Sequence, residues 1–169
     1  MSENYDVQQV CESGHQITDC YINRPEQRNK FCQECGASTI IDCPTCDEKI
    51  QGARIEVRQS FLDARSGRSR NISVIPADVP RYCQNCGAPF PWTQRKITAV
   101  IQNLVEFGDL NEEEKKTIEQ DVENIAKDVP EAELSARRIK RIWERGKSVG
   151  YEVIMEFASR TAAKILKEH

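Results

Sequence analysis

Residues 31–46 read FCQECGASTIIDCPTC, and their spacing decides the fold. Two Cys-x-x-Cys pairs, Cys32/Cys35 and Cys43/Cys46, stand in that stretch, and a third, Cys83/Cys86, recurs in YCQNCGAPF at 82–90. The spacing lets one tight turn aim both sulfurs at a single ion. Gly36 and Gly87 follow directly and can take positive φ without a Cβ clash, so the backbone can curl around a metal. This pattern is a zinc knuckle. Redox pairs share the spacing, but there one motif opens a helix inside a βαβ pattern. Here three copies are flanked by turn-like and β-branched residues, and none opens an amphipathic helix.

Three pairs need a fourth to complete two tetrahedral sites, and the remaining donors are Cys11, His15 and Cys20 in VCESGHQITDC. Cys11 with His15 is the favoured pair, because it closes a short chelate with Gly14 in the turn; Cys11 with Cys20 would enclose a longer loop. Cys20 is then a free thiol acting as a small apolar filler. The pairs can join in chain order or cross-brace, first with third and second with fourth. The short TIID step argues for chain order.

FCQECGA and YCQNCGAP match the rhythm of the double-zinc-ribbon family, in which a plain CPxC knuckle is followed by an aromatic-CxxCG knuckle that often ends in Gly-Ala-Pro. The whole chain also resembles an uncharacterised family of bacterial proteins, in which a double ribbon beginning with a Cys-x-x-Gly-His knuckle precedes a helical tail. That resemblance implies one zinc on Cys11, His15, Cys32 and Cys35 and a second on Cys43, Cys46, Cys83 and Cys86. It implies no activity.

The chain has 169 residues, eight cysteines, two histidines and a net charge of −3. The opening MSENYDVQQV has no apolar core behind a basic start, and no run of about 18 apolar residues follows. A cytoplasmic protein without a membrane span is expected, and there thiols stay reduced and suit metals better than disulfides. The charge is uneven: residues 1–53 carry −5, residues 54–81 carry +3, residues 110–133 carry −6 and residues 134–149 carry +5.

An α+β fold is expected, with tandem β zinc ribbons over 1–91 and an all-α tail over 92–169. In the second ribbon IQGARIEVRQSFL and ISVIP supply β-branched strands around the turn DARSGRSRN. Ribbons this small bury little apolar surface, so metal binding supplies the folding free energy, about 10–16 kcal/mol for structural zinc. Downstream, Thr93 can cap a helix carrying Ile97, Val100, Ile101, Leu104 and Val105, which Gly108 ends. Asn111 and Glu114 fit a capping box for an acidic helix, and Asp128 with Glu131 fits another for a long helix reaching about Leu166, with a bend allowed at Gly146 or Gly150. The simplest role for the +5 stretch is pairing with the acidic helix.

Two functions are consistent with these residues. One is a zinc-dependent adaptor with two structural zinc ions, whose helices dock a protein partner or self-associate to cover the apolar end of the tail. The other is a nucleic-acid-binding regulator in which Arg65, Arg68 and Arg70, at the tip of the second ribbon, contact phosphates. No nucleophile–base set, phosphate-binding glycine loop or HExxH helix is present, so no catalytic residue and no small-molecule substrate are expected.

Overall fold

In the computed structural model, residues 4–59, 70–108, 110–127, 129–145, 150–158 and 160–167 are described; the side chains of 4, 57–59, 70–72, 157 and 161 are not. The architecture is α+β, small antiparallel sheets followed by helices, and the chain divides into a unit spanning Met1–Thr93 and a unit spanning Gln94–His169.

The first unit contains two three-stranded antiparallel sheets. Strands β1 (Asn4–Val7), β5 (Gln51–Gln59) and β6 (Arg70–Ile75) form one in the order β1-β5-β6; β2 (Gln9–Cys11), β3 (Gln16–Thr18) and β4 (Thr39–Ile40) form the other in the order β3-β2-β4. The expected strands around the basic turn are β5 and β6, paired from Arg54↔Ile75 to Gln59↔Arg70.

The opening of the chain carries no expected strand, yet it contributes to both sheets. β1 pairs with β5 through Asn4↔Ile55 and Tyr5↔Arg54, and only one residue further on β2 pairs with β3 and β4. Polar residues disguise these strands, because here they are buried, with Asp6 and Gln9 fully engaged by hydrogen bonds and only the side-chain oxygen of Gln8 left without a partner. The Asp6 carboxylate accepts from the N–H groups of Val7 (2.6 Å), Ile22 (2.8 Å) and Asn23 (3.1 Å) and from Asn23 Nδ2 (2.7 Å). Gln9 Nε2 donates to Asn29 O and Thr39 Oγ1, each at 2.8 Å. Gln8, fully buried at the joint, donates its backbone N–H to Ile50 O (2.8 Å) and its side-chain amide to Asp78 O (3.3 Å). The two sheets therefore share a spine, and Val10, Ile50, Phe90 and Trp92 pack with Cys43 and Cys83 in one cluster.

α1 (Pro91–Phe107) begins two residues before the expected cap. Pro91 occupies the first helical position, where its missing N–H costs nothing, and Thr93 lies buried inside the first turn with its N–H bonded to Phe90 O (2.9 Å). The helix stops before Gly108, as expected. In the second unit, α2 (Glu112–Lys127) carries the expected capping box: Asn111 Oδ1 accepts from the N–H groups of Glu113 and Glu114, and Glu114 Oε2 accepts from Asn111 N–H at 3.0 Å.

The expected long helix is instead three: α3 (Ala132–Arg145), α4 (Tyr151–Phe157) and α5 (Arg160–Lys167). Gly150, at φ 75°, leaves the helical region at the start of α4, and Ala158 has an extended ψ of 140° after its end. Asp128 and Gly146 lie outside the described residues. The break lets the apolar end fold back: Ile154, Ala162 and Leu166 are buried in one core with Ile118, Val122, Ile139 and Trp143. Packing within this unit covers much of the apolar stripe that self-association would otherwise have to cover. The acidic and basic helices do pair, through Asp121–Arg138 (3.1 Å) and Glu114–Arg145 (2.6 Å).

Candidate metal centres

Each Cys-x-x-Cys pair is held by the same backbone device. In the first, the N–H of Cys32 donates to Ala37 O and that of Gly36 to Cys32 O; in the second, Cys43 donates to Glu48 O and Asp47 to Cys43 O; in the third, Cys83 donates to Ala88 O and Gly87 to Cys83 O. An isolated β-bridge flanks every turn, Phe31↔Ser38, Asp42↔Lys49 and Tyr82↔Pro89. The left-handed residue is Gly36 (φ 70°), Asp47 (φ 58°) and Gly87 (φ 70°) in turn. Asp47 makes the middle knuckle equivalent to its neighbours although its sequence lacks the glycine, since Asp tolerates this region better than most residues. Cys11 and His15 use a different turn, in which Cys11 N–H donates to His15 O (3.0 Å) and Gly14 N–H to Cys11 O (2.8 Å).

These turns bring together two groups that could each hold a metal ion, Cys11, His15, Cys32 and Cys35 in one and Cys43, Cys46, Cys83 and Cys86 in the other. The pairs are grouped in chain order. Within each group the donor atoms all lie within 4.8 Å of one another. With metal–sulfur and metal–nitrogen bonds of about 2.3 and 2.0 Å, a tetrahedral zinc ion requires edges of about 3.8 Å between sulfurs and about 3.5 Å between sulfur and nitrogen. The separations across the first group are 3.7 Å for Cys11–Cys35 and 3.5 Å for Cys32 Sγ–His15 Nδ1. Across the second they are 3.8 Å for Cys43–Cys86 and 3.6 Å for Cys46–Cys83. Both donor sets fit the ion.

The ligand thiols are shifted in opposite directions: burial pushes Cys11 up, and against the Ala88 N–H the Cys46 thiol and burial push Cys86 up to about 12, whereas Cys35 is lowered. The Ala37 N–H, followed by the Ser13 hydroxyl, holds the metal-free Cys35 thiol at about 6, well below its ordinary value. Cys20 belongs to neither group: burial, reinforced by the Asp19 carboxylate, pushes it up to about 11, so at neutral pH it is a protonated thiol in the core. Arg65 and Arg68 lie outside the described residues, and of Arg70 only the backbone pairing with Gln59 is described.

Trp92 is a support the sequence reading left unassigned. Its indole stacks on Phe90 (centroids 4.8 Å apart, 13° between planes) and donates Nε1–H to Pro80 O at 2.8 Å. It also seals the first chelate turn, because a Cβ added at Gly14 (φ 93°) would come within 3.0 Å of Trp92 Cβ. A half-open cleft of 420 Å³ borders the second group, lined in part by Tyr5, Arg54, Ile75, Phe90 and Cys83 itself.

A bacterial family described as "Uncharacterized protein conserved in bacteria (DUF2321)" matches residues 4–166. The chain belongs to that family. The match includes both sheets, both donor groups and all five helices but for one residue, Lys167, at the end of α5. No curated protein and no solved structure matches the chain. Among the described residues, no helix is long and apolar enough to cross a membrane.

Proposed function

We propose that the protein is a zinc-binding adaptor, in which two structural zinc ions fix the ribbons as a partner-facing surface and the helical unit docks or oligomerises. The observation that carries this reading is the closure of both donor groups: each brings four candidate protein ligands, three or four of them sulfur, within 4.8 Å of one another, with two edges of each at tetrahedral length. Soft thiolates joined by imidazole favour zinc, and four protein ligands leave no position for an attacking water, so the zinc is structural and does not itself activate a nucleophile. The Asp121–Arg138 and Glu114–Arg145 pairs neutralise part of the basic helix and make it a poorer phosphate ligand. Apolar surface remains for a partner, in the cleft beside Cys83 and at the exposed Val105, Phe107 and Leu134.

The test measures zinc content by mass spectrometry under native conditions and follows size-exclusion light scattering with and without nuclease. Two zinc ions per chain and a protein complex or defined oligomer that survives nuclease support the adaptor. Fewer ions remove its basis. Binding to DNA or RNA that weakens steeply with salt would replace it with a nucleic-acid regulator.

A further inference from the structure

The middle residue just before the second cysteine occupies the same place in the second knuckle of each centre: Glu34 in Cys32–Gln33–Glu34–Cys35 and Asn85 in Cys83–Gln84–Asn85–Cys86. Each reaches across its centre to the same point, the second ligand of the opposite pair. In the first centre that ligand is His15, whose Nε2 lies 3.6 Å from Glu34 Oε2. In the second it is Cys46, whose Sγ lies 3.6 Å from Asn85 Nδ2. The two contacts have opposite polarity. An imidazole that gives Nδ1 to a metal must carry its proton on Nε2, so it presents a donor outward and is met by a carboxylate acceptor. A thiolate presents only an acceptor and is met by an amide N–H donor.

We infer that Glu34 and Asn85 are positioning residues matched in polarity to the ligands they face, and that His15 binds metal through Nδ1 with its Nε2–H held toward the Glu34 carboxylate. Nδ1 is the nitrogen 3.5 Å from Cys32 Sγ, the tetrahedral edge, while Nε2 points to the rim. The Glu34 carboxylate thereby favours the tautomer that carries its proton on Nε2. The His15 and Glu34 side chains are 40% and 72% exposed, so water and salt screen the contact and its effect falls at the low end of the range for outer-shell partners. Asn85 is likewise exposed, and its contribution is of similar size.

This inference rests on the zinc reading, and the experiment separates the two. Native zinc content and chelator competition are measured first on the unmodified chain, then on Glu34→Ala, Glu34→Gln, Glu34→Lys and Asn85→Glu. Glu34→Ala is expected to weaken the first centre about tenfold and leave the second unchanged, with the deficit shrinking in high salt. Glu34→Gln, which keeps an acceptor oxygen, restores most of the affinity. Glu34→Lys, which offers only donors to an N–H, is weaker than Glu34→Ala. Asn85→Glu weakens the second centre alone.

Nitrogen-15 shifts of His15, read in a His169→Ala background so that one histidine reports, are expected to show metal on Nδ1 and a proton on Nε2. Metal on Nε2, or equal first-centre affinity in Glu34→Ala and Glu34→Lys, overturns the inference even if two zinc ions bind. An unmodified chain that binds fewer than two overturns the zinc reading and this inference with it.

Discussion

Gly52→Ala is the most informative single change to the first unit, because it adds one methyl where three stretches of backbone converge. A Cβ at residue 52 would lie 2.3 Å from the carbonyl oxygen of Asp19, 2.7 Å from the carbonyl carbon of Val7 and 2.9 Å from the nitrogen of Gln8. All three atoms belong to the main chain, so no side chain can swing aside. Relief requires the β1–β2 joint and the Asp19 segment to move away from β5 by close to an ångström. That displacement strains Gln8 N–H→Ile50 O and Ala53 N–H→Asp19 O, both 2.8 Å long, which bind the same segments. Overpacking of this kind costs about 1–3 kcal/mol, and loss of two buried backbone bonds adds about 1 kcal/mol each. The expected destabilisation is therefore about 3–5 kcal/mol, a large part of a domain's usual stability of about 5–15 kcal/mol.

The assay is urea unfolding of the zinc-loaded chain, followed by Trp92 fluorescence in a Trp143→Phe background so that only the first unit reports. Gly36→Ala is the control: its added Cβ meets nothing within 4 Å, so only the left-handed backbone at φ 70° opposes it, at about 1–2 kcal/mol. A Gly52→Ala chain that unfolds within 1 kcal/mol of the parent, or no less stable than Gly36→Ala, would refute the shared-spine packing.

Further expectations concern single residues. Cys43→Ser should release one of two zinc ions and loosen the second ribbon while far-UV helicity from α1–α5 largely persists; unchanged metal content would contradict the ligand set. Asp47→Gly should stabilise the first unit by about 0.5–1 kcal/mol in the same urea assay, since glycine removes the cost of φ 58°. Burial opposes charge on Asp6, but the Ile22 N–H, the Asn23 side chain and two further N–H donors outweigh it and hold its pKa below the ordinary carboxylate value. The folded state thus favours the ionised form, so the resulting stability is fully present above an unfolded pKa of about 3.9 and is lost as pH falls through the lower folded value. Asp6→Asn should cost about 1–3 kcal/mol at neutral pH, narrowing in acid; a gap independent of pH down to 3 would show that charge is not what Asp6 contributes.

Features written in local chemistry were legible. The knuckles follow from cysteine spacing and the αL tolerance of glycine, and Asn111 with Glu114 announces its own helix start. Three features needed tertiary context. β1 and β2 are hidden because Asp6, Gln8 and Gln9 are polar, and only the folded chain supplies the partners that make burial of Asp6 and Gln9 cheap. The break after α4 follows the same logic, since no glycine marks it and the fold-back is decided by where Ile154 and Leu166 find a core, whereas the break before α4 falls at Gly150, where the sequence already allowed a bend. The folded chain groups His15, and not Cys20, with Cys11, Cys32 and Cys35, the arrangement that chelate length favoured. Asp47 shows the opposite case: a residue that breaks the visible repeat while keeping its backbone.

The crossing at Gln8 also orders events in time. The first donor group needs nothing beyond Cys35, and its sheet nothing beyond Ile40, so that centre can fill while the rest is still being synthesised. Among the described residues β1 has no partner strand until β5 emerges more than forty residues later, and the second group waits for Cys86. At ribosomal rates of roughly 5–20 residues per second, the earliest-made strand stays unpaired for several seconds beside a centre already able to bind. A metal ion on the first group would thus anchor the nascent chain, and closure of β1 onto β5 would be the step that joins the two sheets.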